Sequence, residues 1–261
     1  MGEVLDEAQL AAWRDDGMVV CPELIPAADV AAAMTRIKAL TAERRREVIL
    51  EKDGRTVRSL MNAHLFDETL GRFVRHPRLV GGARDLAGGE VYIFQSIVNL
   101  KAPFTGDIWQ WHQDYPTYLA DDGMPTPNCV NVLVFLEDVC EFNGPLMLIP
   151  GSHRAEAEVN EVDRSTTSYP LRGATAATVT VQAGRRGIVA PKGPPGTVVF
   201  AHTNIIHGSG PNMSPWGRTM LSLTLNAVSN RHTGSRRPDW VVLADCTPLR
   251  PLAEGEPVAA R

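Results

Sequence analysis

The sequence predicts a mainly β fold with flanking helices, its core a jelly-roll or double-stranded β-helix. Two observations carry this. From Glu90 onward the chain runs through short, β-branched apolar stretches (VYIFQSIVNL, VNVLVFLEDV, GPLMLIPG, ATVTVQA, GTVVFAHT and RTMLSLTLNAV) separated by Gly, Pro and Asn. Strands so spaced, with no helical period between them, fold as antiparallel sandwiches or barrels. Before Glu90 the apolar residues recur instead every three or four positions, the spacing of an amphipathic helix. A length of 261 residues suits one large domain. The expected organisation is therefore a single domain over 1–261, with a helical part over about 1–89 and a jelly-roll core over about 90–230.

Each element has a local reason. Glu7 to Asp16 reads as a helix stopped by Gly17, and Pro77 to Ala87 as one stopped by Gly88, since glycine tolerates the left-handed turn that ends a helix. Between them Val30, Met34, Ile37 and Leu40 fall on one helical face. The segment 153–196 is rich in Gly, Ala, Thr and Pro, a weak core-former that reads either as a flap over the barrel mouth or as an ordinary connection.

Composition narrows the function. With 26 basic and 30 acidic residues the net charge is −4, which offers no extended basic field for nucleic acid. No apolar run is long enough to span a bilayer. The acidic opening MGEVLDEAQLAAW has neither the charge nor the apolar stretch of a secretory signal. The four cysteines form no Cys-x-x-Cys pair, as expected in a reducing cytoplasm. These features point to a soluble cytoplasmic protein without a nucleic-acid or membrane partner, and they leave its oligomeric state open.

The chemistry concentrates in WQWHQDYPTY. There His112 and Asp114 stand two apart, which in a strand puts both side chains on one face. His207 closes TVVFAHTNIIH, and Arg218 opens the strand RTMLSLTLN. Two imidazoles and one carboxylate make the facial triad of non-haem Fe(II), with three coordination positions left open. Seven histidines and thirty acidic residues give about 0.8 His-x-acid matches by composition alone, so the pair by itself decides nothing. A zinc-dependent hydrolase with the same three ligands, or a non-catalytic jelly-roll binding protein, fits the pattern too. His202, five residues before His207, would face the opposite side of an extended strand and reads as packed. Arg231, Arg236 and Arg237 form a basic loop, solvated or able to clamp a substrate carboxylate.

The stretches QSIVNLKAPFTG, WHQDYPTYLADDGMP, NGPLMLIPGSH and HGSGPNMSPWGR resemble the phytanoyl-CoA dioxygenase family of Fe(II)/2-oxoglutarate oxygenases, and within it the ectoine-hydroxylating branch, from about Tyr92 to Asn226. The resemblance implies a hydroxylase that consumes 2-oxoglutarate and O2. It implies His112, Asp114 and His207 as iron ligands, and Arg218 with Ser209 on the distal carboxylate of 2-oxoglutarate. Asn99 and Trp109 match the cosubstrate side, and Gln95 a substrate contact. Gln113 stands where that branch has Ser, and Tyr118 where it has Trp. Ectoine itself is therefore not carried over, and the expected substrate is a free amino acid or a compatible-solute-like molecule, with Gln95, Tyr118 and Arg237 around it.

Overall fold

The computed structural model describes residues 2–43, 45–155, 159–163 and 171–260. Among these residues two antiparallel sheets enclose a cavity, as a jelly-roll requires. The larger sheet runs β1 (Met18–Cys21), β10 (Val198–His202), β6 (Cys129–Phe135), β12 (Arg218–Ala227), β4 (Val91–Lys101), β3 (Val57–Met61) and β2 (Val48–Leu50). The smaller runs β7 (Leu146–Leu148), β11 (His207–Ser209), β5 (Trp109–His112), β9 (Leu171–Ala174) and β8 (Val159–Asp163).

Helices α1 (Glu7–Asp16), α2 (Ala27–Thr41) and α4 (Pro77–Ala87) form where the sequence places them, and a further short helix, α3 (Glu68–Phe73), precedes α4. Asp6 and Gln9 close a capping box at the start of α1, and Gly17 and Gly88 end α1 and α4 in the left-handed conformation, both at φ 73°. The helices supply one half of the main core. Val30 and Ile37 of α2, Phe73 of α3, and Val80 and Ala83 of α4 pack with Val132, Phe200 and Leu223 of the larger sheet. Contact is closest at Gly82, where a Cβ would stand 2.5 Å from the Phe200 ring.

Three expectations need correction. The first 89 residues are not helical throughout, because β1, β2 and β3 extend the larger sheet at its two ends. Their runs of three to five residues are too short to announce themselves between charged stretches, and pairing with β10 and β4 is what makes them strands. ATVTVQA, read as a strand, lies in helix α6 (Ala176–Arg186). Thr175 caps it by accepting from Thr178 N–H, and Val179 and Ala183, one turn apart, pack against Ile149, Ala174 and Ile206. That apolar contact outweighs the strand preference of Val and Thr. Finally, the described parts of the 153–196 segment are β8, β9 and α6 rather than an open flap, with Gly173 of β9 facing His112 across the sheet. Residues 156–158 and 164–170 of that segment lie outside the described residues.

Candidate active site

The inner wall follows from strand alternation. In β12, Arg218, Met220, Ser222 and Thr224 line the cavity, while Leu221, Leu223 and Leu225 join the core under the helices. β4 turns Gln95, Ile97 and Asn99 inward, and β6 turns Asn131 and Leu133 inward. The smaller sheet closes the cavity with Trp109, His112, Leu146, His207 and Ser209.

His112, Asp114 and His207 meet here, with one ligand atom of each within 4.8 Å of the others. His112 Nε2 lies 3.5 Å from Asp114 Oδ1, and His207 Nε2 lies 3.8 Å from Asp114 Oδ2. The two histidines are register partners in β5 and β11. Asp114 reaches them by a different route from the one its spacing suggests. β5 ends at His112, and Asp114 has helical backbone angles, φ −76° and ψ −43°, at the start of helix α5 (Tyr115–Asp122). A helix-initiating aspartate ordinarily caps its own first turn. This one makes no cap and points its carboxylate into the cavity, where Asn131 Nδ2 donates to Oδ2 at 2.6 Å and Thr224 donates to the Asn131 amide oxygen at 2.9 Å.

Both rings face backbone carbonyls through Nδ1, His112 at Gln110 (2.6 Å) and His207 at Ile205 (3.0 Å). A carbonyl only accepts, so Nδ1 carries the proton and each Nε2 offers a lone pair. Burial and the neighbouring His112 bring the His207 pKa down to about 4. Burial works against the Asp114 carboxylate, yet the two imidazoles and Asn131 hold it well below the usual range. For His112, burial is outweighed by the hydrogen bond and charge of Asp114, and the pKa rises. Two imidazoles and a carboxylate, each held from behind, fit a divalent iron.

At the opposite end Arg218 is buried, 2% exposed. Its Nη2 donates to the Gly144 carbonyl at 3.1 Å, while Nε and Nη1 have no hydrogen-bond partner among the described residues. Burial and the nearby Arg58 lower its pKa to about 10, which leaves it charged at neutral pH. A desolvated guanidinium with open donors on a cavity wall fits a carboxylate. Ser209 and Asn99 share that wall, as does Trp109, over whose ring Arg58 sits at 4.1 Å.

Gln95 and Tyr118 line the remaining part. Gln95 Nε2 donates to Val241 O at 3.0 Å, which fixes the amide and turns its oxygen away from that contact. Tyr118 meets Phe94 edge to face at 4.8 Å. Arg237 is neither solvated nor on the cavity wall. It lies behind Tyr118, 5.2 Å from the ring, and Asp122, itself fully buried, binds it at 3.1 and 2.5 Å. Gln113 donates to Asn204 O at 2.5 Å and supports the turn behind Asp114. His202 does pack, against Trp13 and His153 at 5.5 and 5.2 Å. The chain turns between His202 and His207, which belong to different sheets. Asn131, Ser222 and Thr224 escaped the sequence reading, although small polar residues at alternate positions of otherwise aliphatic strands are the signal that finds them.

Fold and site together define a non-haem Fe(II)- and 2-oxoglutarate-dependent dioxygenase. Residues 13–220 match the phytanoyl-CoA dioxygenase (PhyH) family, and the chain belongs to it. It is 38% identical over 247 residues to L-proline trans-4-hydroxylase of Streptomyces griseoviridis, covering 91% of this chain and 92% of that one. It is 35% identical over 238 residues to ectoine dioxygenase of Bordetella parapertussis, covering 87% and 77%. EctD from S. alaskensis, solved with 2-oxoglutarate and 5-hydroxyectoine, superposes with a TM-score of 0.84 at 33% identity, over 95% of this chain and 87% of that one. The same enzyme has also been solved with bound Fe. No helix among the described residues is long and apolar enough to cross a membrane.

Proposed function

We propose that this chain, one catalytic domain, hydroxylates a free cyclic amino acid of the proline type. The observation that carries the reading is the near full-length likeness to L-proline trans-4-hydroxylase, 38% identical and covering 92% of that enzyme. The cavity supports it: beyond the triad the walls are short or polar, with Gln95, Asn131, Ser222 and Thr224 beside Ile97 and Met220. Such walls suit a small zwitterion with one apolar ring face better than an acyl chain.

In this reading His112, Asp114 and His207 hold Fe(II), and Arg218 with Ser209 holds the distal carboxylate of 2-oxoglutarate. Metal, cosubstrate and O2 together supply the oxidising equivalent that replaces a C–H bond by C–OH. The chain's own contribution is placement. Asn131 holds the Asp114 carboxylate, and the Nδ1 contacts hold both imidazoles in the ligating tautomer. Asn99 and Trp109 flank the cosubstrate, while the Gln95 amide oxygen and the Tyr118 phenol orient the substrate by hydrogen bonding. The buried walls keep water from the reacting carbon. Arg237 acts at one remove, backing the Tyr118 ring. The four free cysteines support a reducing compartment such as the cytoplasm.

The test is succinate release and product mass with L-proline, other amino acids, ectoine and a fatty acyl-CoA. Coupled turnover of L-proline with a mass gain of one oxygen is expected. Turnover confined to acyl-CoA or to ectoine would refute the substrate assignment.

A further inference from the structure

Of the four lysines Lys101 alone is buried, 2% exposed. It ends β4 directly opposite Arg218, the first residue of β12. Its stem is enclosed by Gly106 and Gly144, where a Cβ would come within 2.8 and 2.9 Å of the lysine side chain. Nζ donates to the carbonyls of Asp107, at 2.6 Å, and Gly210. These carbonyls lie at the ends of two paired strands of the smaller sheet, whereas Lys101 belongs to the larger. Asp107 leads into β5 and Trp109, while Gly210 follows Ser209 at the end of β11. One side chain thus ties the larger sheet, beside Arg218, to the Trp109–Ser209 edge of the smaller sheet.

The charges around it do not balance. Arg218 faces Lys101 from β12 and Arg58 from β3, while Glu51 and Asp107 are the nearby carboxylates. Glu51 is engaged by Arg58 in a buried pair at 3.1 Å, and Asp107 by Lys52 at 3.5 Å and by the Ile108 N–H. Burial first, then the two guanidiniums, bring the Lys101 pKa down to about 6. A neutral amine still has two N–H donors, enough for the two carbonyls it meets.

We propose that Lys101 is a positioning residue for 2-oxoglutarate: when the distal carboxylate settles on Arg218, Lys101 takes up one proton from solvent, and its ammonium, through the Asp107 and Gly210 carbonyls, then holds the Trp109–Ser209 edge of the smaller sheet closed against Arg218 and the cosubstrate. The inference rests on the reading of Arg218 as the carboxylate anchor. The carboxylate offsets the guanidinium charge that most opposes the ammonium, so the protonated form gains when the ligand binds. Linkage fixes the sign. The complex binds more protons than the free protein, so affinity for 2-oxoglutarate falls as pH rises from about 6 towards the higher pKa of the complex, by up to about tenfold per pH unit.

The experiment is calorimetric titration of the Ni(II)-loaded protein with 2-oxoglutarate, without substrate or turnover, from pH 6 to 9 in buffers of different ionisation enthalpy. Wild type is expected to take up close to one proton per cosubstrate near pH 7.5. Lys101→Arg keeps a permanent charge within reach of both carbonyls; it should bind with no proton uptake and a Kd that no longer changes with pH. Lys101→Met should take up no proton and bind more weakly throughout. Absence of uptake in wild type, or the same uptake in Lys101→Arg, overturns the proposal. Arg218→Gln separates the two readings: an unchanged Kd refutes the anchor, whereas a raised Kd with no uptake in wild type refutes the role of Lys101 alone.

Discussion

At the scale of single residues, the centre of the site is an aspartate denied its usual task. Asp114 starts a helix without capping it, and its carboxylate is held instead by Asn131 and turned towards two imidazoles. The His-x-Asp spacing was legible in the sequence, but the reason attached to it, two side chains on one face of a strand, was not the one the backbone uses. Asp114→Ala or His207→Ala should abolish both turnover and iron retention, checked by metal quantification after anaerobic Fe(II) loading; full occupancy in either variant would refute the triad. Asn131→Ala leaves all three donors in place and removes only the support behind one. Its iron affinity should fall about 10–100-fold, read by chelator competition.

At the scale of elements, the strands of the core were legible because their β-branched runs are bounded by Gly, Pro and Asn, and helices α1, α2 and α4 because their period and stops agree. The short strands β1 to β3 and helix α6 were not, since partners distant in sequence determine their state. Thr and Val at 178–181 prefer a strand in isolation. What makes them helical is the cap at Thr175 and an apolar patch contributed by β9 and by Ile149 and Ile206. The contact between α4 and the larger sheet depends likewise on a residue whose meaning is visible only in three dimensions. Gly82→Ala would drive a methyl into the Phe200 ring. Denaturant unfolding should show a loss of about 1–3 kcal/mol, the cost of overpacking a tight core; an unchanged midpoint would mean that the helix can lift without penalty.

At the scale of the whole molecule, a layered arrangement separates two chemistries. Helices and the outer face of the larger sheet form one aliphatic core, while the inner face carries the polar side chains of the site beside a second apolar cluster that includes Leu133, Phe135 and Val199. The composition gave no hint of this division, because one strand such as β12 contributes alternate residues to both. Burial of neutral histidines is a further global property. His64 and His202, both lowered by burial to a pKa of about 4, titrate near 6.5 once unfolded. The unfolded chain therefore binds more protons below pH 6.5, and stability must fall between about 6.5 and 4. The loss at pH 5 should be roughly 1–2 kcal/mol for each histidine. Urea midpoints at pH 7.5 and 5.0 check this, and His64→Gln should flatten part of the decline.

The junction of β5 and α5 has an evolutionary consequence. Tyr118 donates its backbone N–H to the Asp114 carbonyl at 3.2 Å, so the triad aspartate and a residue of the cavity wall stand one turn apart on one helical ladder. Mutation can exchange the side chain on the second rung while the first stays anchored by Thr203, whose carbonyl accepts from the Asp114 N–H. If Tyr118 contacts substrate as proposed, a point substitution at 118 would reshape its wall, whereas a single inserted residue between 114 and 118 would rotate that wall by about 100° about the helix axis. In that reading the turn tolerates exchange of a side chain far better than a change of length.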